Sequence, residues 1–385
     1  DQAPGEPQGK SDPLLDALTA ELGRSFENLQ DKGEEPLYYL SYRVEDGRRF
    51  SISASFGALS QDSTRDRYGG RRRSLDVSAR VGSHEFDNTH KVRGEWSFGG
   101  FGGGRSLPIE DDEGSIRVAV WRATDSAYKN ATRALIRVKA NKAVKVETED
   151  KADDFSREEA QVYLGKRQEA ELDLDEWKAR CKRLSAIFKE HPLVLSSSVG
   201  VSGGEGTLYF VDSDGARIRE PRYYLRFMVS GQVKADDGMD LELFDSVEAT
   251  SSEQLPTEEE LERVVRELIA RLEALRDAPA VEPYSGPAIV MNRAASVFFH
   301  EIFGHRVEGH RQKDEEEGQT FTKKVGERIM PEFISVKDDP TQRRYGETVL
   351  NGFYRYDEEG VAARNVSLVE DGVLKGFLMG RSPID

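Results

Sequence analysis

Apolar residues recur every three to four positions over 14–29 (Leu15, Leu18, Leu22, Phe26), which predicts an amphipathic helix. The period then changes to two. Alternating runs at 37–42 and 50–54 flank Asp46-Gly47 and predict a hairpin, and 75–81 predicts a third strand. A long helix is expected over 115–139, with Ile116, Val120, Tyr128, Ala131 and Leu135 on one face and Trp121 beside them. The charged, weakly patterned stretch 141–159 reads as a solvated linker. A further helix over 173–190 carries Leu174, Trp177, Cys181, Leu184 and Phe188 as one stripe, and His191-Pro192 ends it. Strands are expected at 194–201, 207–211, 218–229 and 239–244, with turns at Gly203-Gly204, Asp214-Gly215 and Asp237-Gly238. That spacing is the pattern of an antiparallel sheet, with Tyr223, Tyr224 and Phe227 packing on it.

After residue 250 the pattern changes again. Thr257 to Glu260 forms a capping box that opens a helix with Leu261, Val264, Val265, Leu268, Ile269, Leu272 and Leu275 on one face. The run 288–291 predicts a short buried strand, and Asn292 a cap for the helix that follows. Strands are expected near 333–336 and 361–369, then a hairpin at Asp371-Gly372 into 374–379. The fold class is α+β. Residues 1–13 read as a disordered segment, 14–250 as an N-terminal α/β part with an antiparallel sheet and long helices, and 251–385 as the start of a second domain.

A length of 385 residues fits two or three domains. The net charge of -16 argues against non-specific nucleic-acid binding, and Arg71-Arg72-Arg73 is too short to form a basic patch. No apolar run reaches the roughly 18 residues of a membrane span. The single cysteine excludes an intrachain disulfide. The chain begins with Asp1 rather than Met, which fits a removed export signal or a trimmed chain.

Candidate chemistry is concentrated in Phe299-His300-Glu301-Ile302-Phe303-Gly304-His305, with His310 close behind. Two histidines and a carboxylate form most of a hydrolytic zinc site, in which Glu301 serves as general base for the attacking water and His300 and His305 as ligands. On a straight helix two residues five apart point roughly 140° away from each other. Their convergence requires an interrupted helix, with Gly304 at or next to the break. Glu308, His310, Asp357, Glu358 and Cys181 are the candidates for a third ligand. His84-Glu85 and His90 form a superficially similar group, but with a longer gap and in a loop after a strand. The Gly99–Gly104 run lacks the Lys-Ser/Thr of a phosphate loop.

The motif, together with Gly286-Pro287-Ala288-Ile289-Val290, Val307-Glu308-Gly309, Gly326-Glu327, Asp357 to Val361 and Glu370 to Leu378, resembles the TldD/PmbA metallopeptidases. The segments 107–109 and 121–128 fit N-terminal parts of that family less specifically. The resemblance implies a TldD-like zinc peptidase, with His300 and His305 holding Zn2+ and Glu301 as the base. It implies flexible or unfolded peptides as substrates, bound extended in the cavity of a homo- or heterodimer, and a cytoplasmic location. In that family the third ligand is a cysteine of a C-terminal β domain. No cysteine follows His305 here, so the resemblance implies either a chain lacking most of that domain or a variant with another ligand. The alternative is a non-catalytic, peptide-binding subunit of such a complex.

Overall fold

A computed structural model describes residues 12–65, 70–91, 104–142, 151–167, 172–313, 320–346 and 348–384. Helix α1 (Pro13–Leu29) begins where the Asp12 carboxylate accepts from Leu15 N, with Pro13 in the first turn where no N–H is required. Asp12 is buried and paired with Arg219 at 2.8 Å. Residues 12 and 13, expected in the disordered segment, are therefore part of the fold.

Strand β1 (Leu37–Ser55) runs without interruption through Asp46-Gly47, so the expected hairpin is not there. Asp46 accepts from buried Arg73 at 2.8 Å and from Arg71 at 3.1 Å. Gly47 lies opposite Gly206, and a Cβ on it would come within 2.6 Å of the Glu205 carbonyl oxygen. Here an Asp-Gly pair permits close approach of two strands instead of a turn. The chain reverses at Phe56-Gly57, whose φ values of 45° and 80° suit the mirror-image turn that matches strand twist, and enters β2 (Ala58–Asp62).

Next come β3 (Arg71–Val81), β4 (Arg105–Ser106), α2 (Glu113–Lys142), β5 (Val162–Leu164) and α3 (Leu174–Ala186), the last prolonged by the 3-10 turn Ile187–Glu190. The glycine-rich run falls outside the described residues except for Gly104. Strand β6 (Val194–Asp212) is also continuous, replacing two expected strands and their turn. A Cβ on Gly203 would lie 2.5 Å from the Tyr224 carbonyl oxygen, and one on Gly204 would lie 2.9 Å from that of Arg48. These glycines serve the ladder. The true turns are at Gly215 and Gly238, both with positive φ, and connect β6 to β7 (Arg217–Lys234) and β7 to β8 (Asp240–Ala249). Among the described residues these strands form one sheet in the order β4-β3-β1-β6-β7, with β5 and β8 both on β7 and β2 on β1.

The length of β1 and β6 allows one sheet to serve two cores. Leu40, Tyr42 and Val44 of β1 pack with α1 and α2, whereas Phe50, Ile52 and Ala54 pack with α3 and α4 (Glu258–Arg276). All six share one parity, so both helix pairs cover the same face of the sheet. Helix α4, expected to open the second domain, keeps its capping box but buries Leu261, Val265, Leu268, Ile269 and Leu272 against the sheet. Its packing belongs to the part before it.

The remaining elements are α5 (Asn292–Ile302), the 3-10 turn Gly304–Val307, the one-turn α6 (Gly309–Gln312), β9 (Val336–Asp338), β10 (Arg344–Tyr345), β11 (Thr348–Val349), β12 (Val366–Glu370) and β13 (Val373–Leu374). The small sheet β13-β12-β9 has its own core of Phe303, Val307, Leu368, Val369, Leu374 and Phe377. Asp371-Gly372 turns as expected, with φ of 47° and 79°.

This part is fastened to the other face of the large sheet. Tyr356 packs on the Phe210 and Ile218 cluster, and Glu358 pairs with Arg43 of β1 at 2.6 Å. Arg381 is buried beside the rings of Tyr39 and Phe155 and pairs with Asp214 at 3.2 Å. Phe155 also receives the Arg80 guanidinium, 3.8 Å from its ring centre. The stretch expected as a solvated linker thus includes buried Asp154 and Phe155, because two guanidinium planes need an aromatic face between them.

Candidate metal centre

The segment leading into α5 departs from expectation. Residues 288–291 form no strand, and Ile289 and Met291 are 91% and 66% exposed. Asn292 is the first helical residue, with φ of 52°, and makes no cap; the cap position is Met291. Val297, Phe298, Phe299 and Ile302 are exposed. No described element covers that face of the helix. The anchors lie at the two ends. Arg293 donates to the Ser246 carbonyl of β8 at 2.8 Å, and Phe303 is buried against Phe321 and the small sheet.

The interruption expected near Gly304 lies at Phe303, whose φ of -127° and ψ of -49° leave the α region. The chain tightens into the 3-10 turn Gly304–Val307, with Arg306 N donating to Phe303 O. Gly304 itself does not use positive φ, and a Cβ there would meet His300 Nδ1 at an ordinary 3.5 Å. The bend comes from burying Phe303, not from glycine's freedom. Its effect is to swing His305 back over the last helical turn. The His300 and His305 rings lie 4.4 Å apart at 66°, and His305 Nε2 is 3.8 Å from a Glu301 carboxylate oxygen.

One ligand atom from each of His300, Glu301 and His305 lies within 4.8 Å of the others. Ligands around a tetrahedral zinc ion stand about 3.4 Å apart. Small rotations of the side chains close that difference for the two imidazoles, which match zinc's preference for nitrogen donors, with the Glu301 carboxylate beside them. The residues present fit a divalent cation of this type.

His305 Nδ1 lies 2.7 Å from Glu308 Oε1. An ionised carboxylate only accepts, so Nδ1 carries a proton, and in the neutral imidazole Nε2 then keeps its lone pair on the side of Glu301. Burial pushes the Glu308 carboxyl up, but hydrogen bonds from Arg311 and His305 outweigh it and hold the group below the usual glutamate range. Glu308 was a candidate third ligand on sequence grounds; the structure turns it toward the opposite ring nitrogen. Its spacing of three after His305, on a helical turn, is the signal that would have indicated a side-chain pair.

The other candidates stay away. His310 Nε2 faces Glu308 at 3.7 Å. Asp357 accepts from Glu359 N and Val361 N within its own loop, and Glu358 is engaged by Arg43. Cys181 is fully buried in the α3 stripe, and burial pushes its thiol up to about 12.

Residues 167–276 match the PmbA/TldA metallopeptidase central domain, and residues 283–383 the C-terminal domain. A metalloprotease of Archaeoglobus fulgidus is 40% identical over 105 residues, covering 26% of this chain and 23% of that protein. The zinc metalloprotease TldD homolog of Saccharolobus solfataricus is 30% identical over 95 residues, covering 25% of this chain and 20% of its own length. The chain thus aligns with well under half the length of these relatives. Among solved structures, TldE from Thermococcus kodakarensis superposes with a TM-score of 0.57 at 17% identity, covering 94% of this chain and 69% of that one. A Bacteroides thetaiotaomicron protein described as a candidate modulator of DNA gyrase reaches 0.62 at 13% identity, with 97% and 73% covered. At these identities the structural likeness establishes the fold. The two matched domains, the named relatives and the shared fold place this chain in the TldD/PmbA family of metalloproteases.

Proposed function

We propose that the protein is a zinc peptidase subunit in which His300 and His305 hold Zn2+ and Glu301 is the general base. The observation that carries this reading is the convergence of His300, Glu301 and His305 within 4.8 Å, on a helix whose straight form would keep the histidines apart. A zinc ion bound there supplies a water of lowered pKa and polarises a peptide carbonyl. Glu301, exposed on the same surface as both imidazoles, takes the proton of the attacking water and returns it to the leaving amine. His305, protonated at Nδ1, presents only a lone pair toward the centre, so it does not compete as an acid.

We further propose that the substrates are flexible or unfolded peptides. An open shelf beside exposed Val297, Phe298 and Ile302 suits an extended chain with apolar side chains better than a compact small molecule. A second family subunit, identical or related, would enclose that shelf. No described helix is long and apolar enough to cross a membrane.

The test pairs zinc analysis with cleavage of an unfolded polypeptide. Purified protein is expected to hold about one zinc per chain. Glu301→Gln should keep the zinc and lose about 10²–10⁴-fold in cleavage rate. Absence of zinc, or cleavage unchanged in Glu301→Gln, removes this reading. Zinc held stoichiometrically with no cleavage favours the peptide-binding subunit instead.

A further inference from the structure

We infer that Glu308 is a positioning residue for this centre: its carboxylate holds the His305 imidazole in the orientation and tautomer that aim Nε2 at Glu301 and at a bound cation. The inference rests on the proposed metal centre and goes beyond it by assigning what makes His305 a competent ligand.

His305 lies outside the regular helix, on a 3-10 turn, and its ring is more than a third exposed. Helical packing therefore does not set its rotamer. The hydrogen bond to Glu308 at 2.7 Å does, through Nδ1. A ring nitrogen bound to a carboxylate leaves the other nitrogen as the donor and strengthens it.

Glu308 is itself fixed from several directions. Its second oxygen accepts from Arg311 Nε at 2.6 Å, so both carboxylate oxygens are engaged. Its backbone is stitched to the C-terminal segment by Gly309 N to Leu378 O and Leu378 N to Val307 O, both 2.7 Å. A Cβ on Gly309 would fall 2.6 Å from Met379 Cγ and 2.9 Å from Leu378 O, so glycine is what lets the Glu308 backbone seat this closely. The neighbouring Val307 is buried in the small core. A buried residue, a close backbone approach and a salt bridge thus converge on one exposed imidazole. Engaged at Nδ1, the Glu308 carboxylate sits on the side of the ring away from an ion on His305 Nε2.

The decisive measurement is zinc affinity of the full chain, stripped of metal, by competition with a chromophoric chelator. Glu308→Ala is expected to weaken binding about 10–100-fold. Glu308→Gln, whose amide oxygen still accepts from Nδ1–H, should stay closer to wild type. Visible absorption of the Co2+-loaded forms should differ between Glu308→Ala and wild type, reporting an altered ligand field. Thermal unfolding of the metal-free proteins separates loss of the site from loss of the fold. If Glu308→Ala is unfolded, Glu308→Met, close in volume and a poor acceptor, takes its place. Wild-type affinity in the Ala or Met variant overturns the inference while leaving the centre intact. Failure of the wild-type protein to take up zinc overturns the centre and this inference with it.

Discussion

Two segments of this chain contain a His-Glu pair followed by another histidine, and they have opposite fates. In the first, His84 Nδ1 lies 2.9 Å from the Phe155 carbonyl, Glu85 is bound by Arg157, and His90 Nδ1 lies 2.8 Å from Asp154. The stretch around 153–157 engages each of the three side chains. In the second, His305 Nε2 and the Glu301 carboxylate face each other, and the protein contacts His305 through Nδ1. The difference is one of destination. The first segment is used to seat a strap, and the second keeps donor atoms directed at a common point. Residue identity hardly separates them; the partners supplied by distant stretches of chain do.

The sharpest break of this comparison is catalytic. Glu301→Gln should lower peptide cleavage by about 10²–10⁴-fold. Glu85→Gln should leave it unchanged, measured with the same unfolded substrate. Metal content follows the same division. His300→Ala and His305→Ala should each abolish stoichiometric zinc, whereas His84→Ala and His90→Ala should retain it, by elemental analysis of dialysed protein.

Stability should show the reverse pattern. Phe155→Ala removes a fully buried ring from between Arg80 and Arg381, at a cost of about 3–5 kcal/mol, read as a large fall in Tm. Phe298→Ala, at an exposed position of α5, should shift Tm little. If Phe298→Ala proves as costly as Phe155→Ala, the α5 face is covered in solution.

The smallest effect concerns acid titration. The hydrogen bond from Arg157 leads the causes that lower the Glu85 carboxyl to about 2. A depressed folded-state value means that its contribution is present above the ordinary glutamate range and lost as pH falls toward 2. NMR titration of the Glu85 side chain should give a midpoint near 2, and Arg157→Gln should return it toward 4.5.

Much of the fold was legible along the chain, where a signal is local. The capping box at Thr257, the stripe of α3, the face of α2 and the turns at Asp214-Gly215, Asp237-Gly238 and Asp371-Gly372 all lie where pattern placed them. Asp46-Gly47 and Gly203-Gly204 misled for a common reason. Glycine permits a positive φ and also permits two backbones to approach, and a single sequence does not distinguish the uses. The turn at Phe56-Gly57 was missed because phenylalanine is an uncommon residue at φ of 45°.

The candidate centre divides in the same way. Residue types and spacing determined by themselves that His300, Glu301 and His305 could converge only on a broken helix, because 3.6 residues per turn is a property of any α-helix. Tertiary structure alone decided where the break falls, through burial of Phe303, and that the apolar face of α5 lies open. The physical reason is range. Helical period and capping act within a few residues, whereas burial and hydrogen-bond partnership depend on chain brought from tens to hundreds of positions away, as Leu378 is to Glu308 and Arg381 to Phe155.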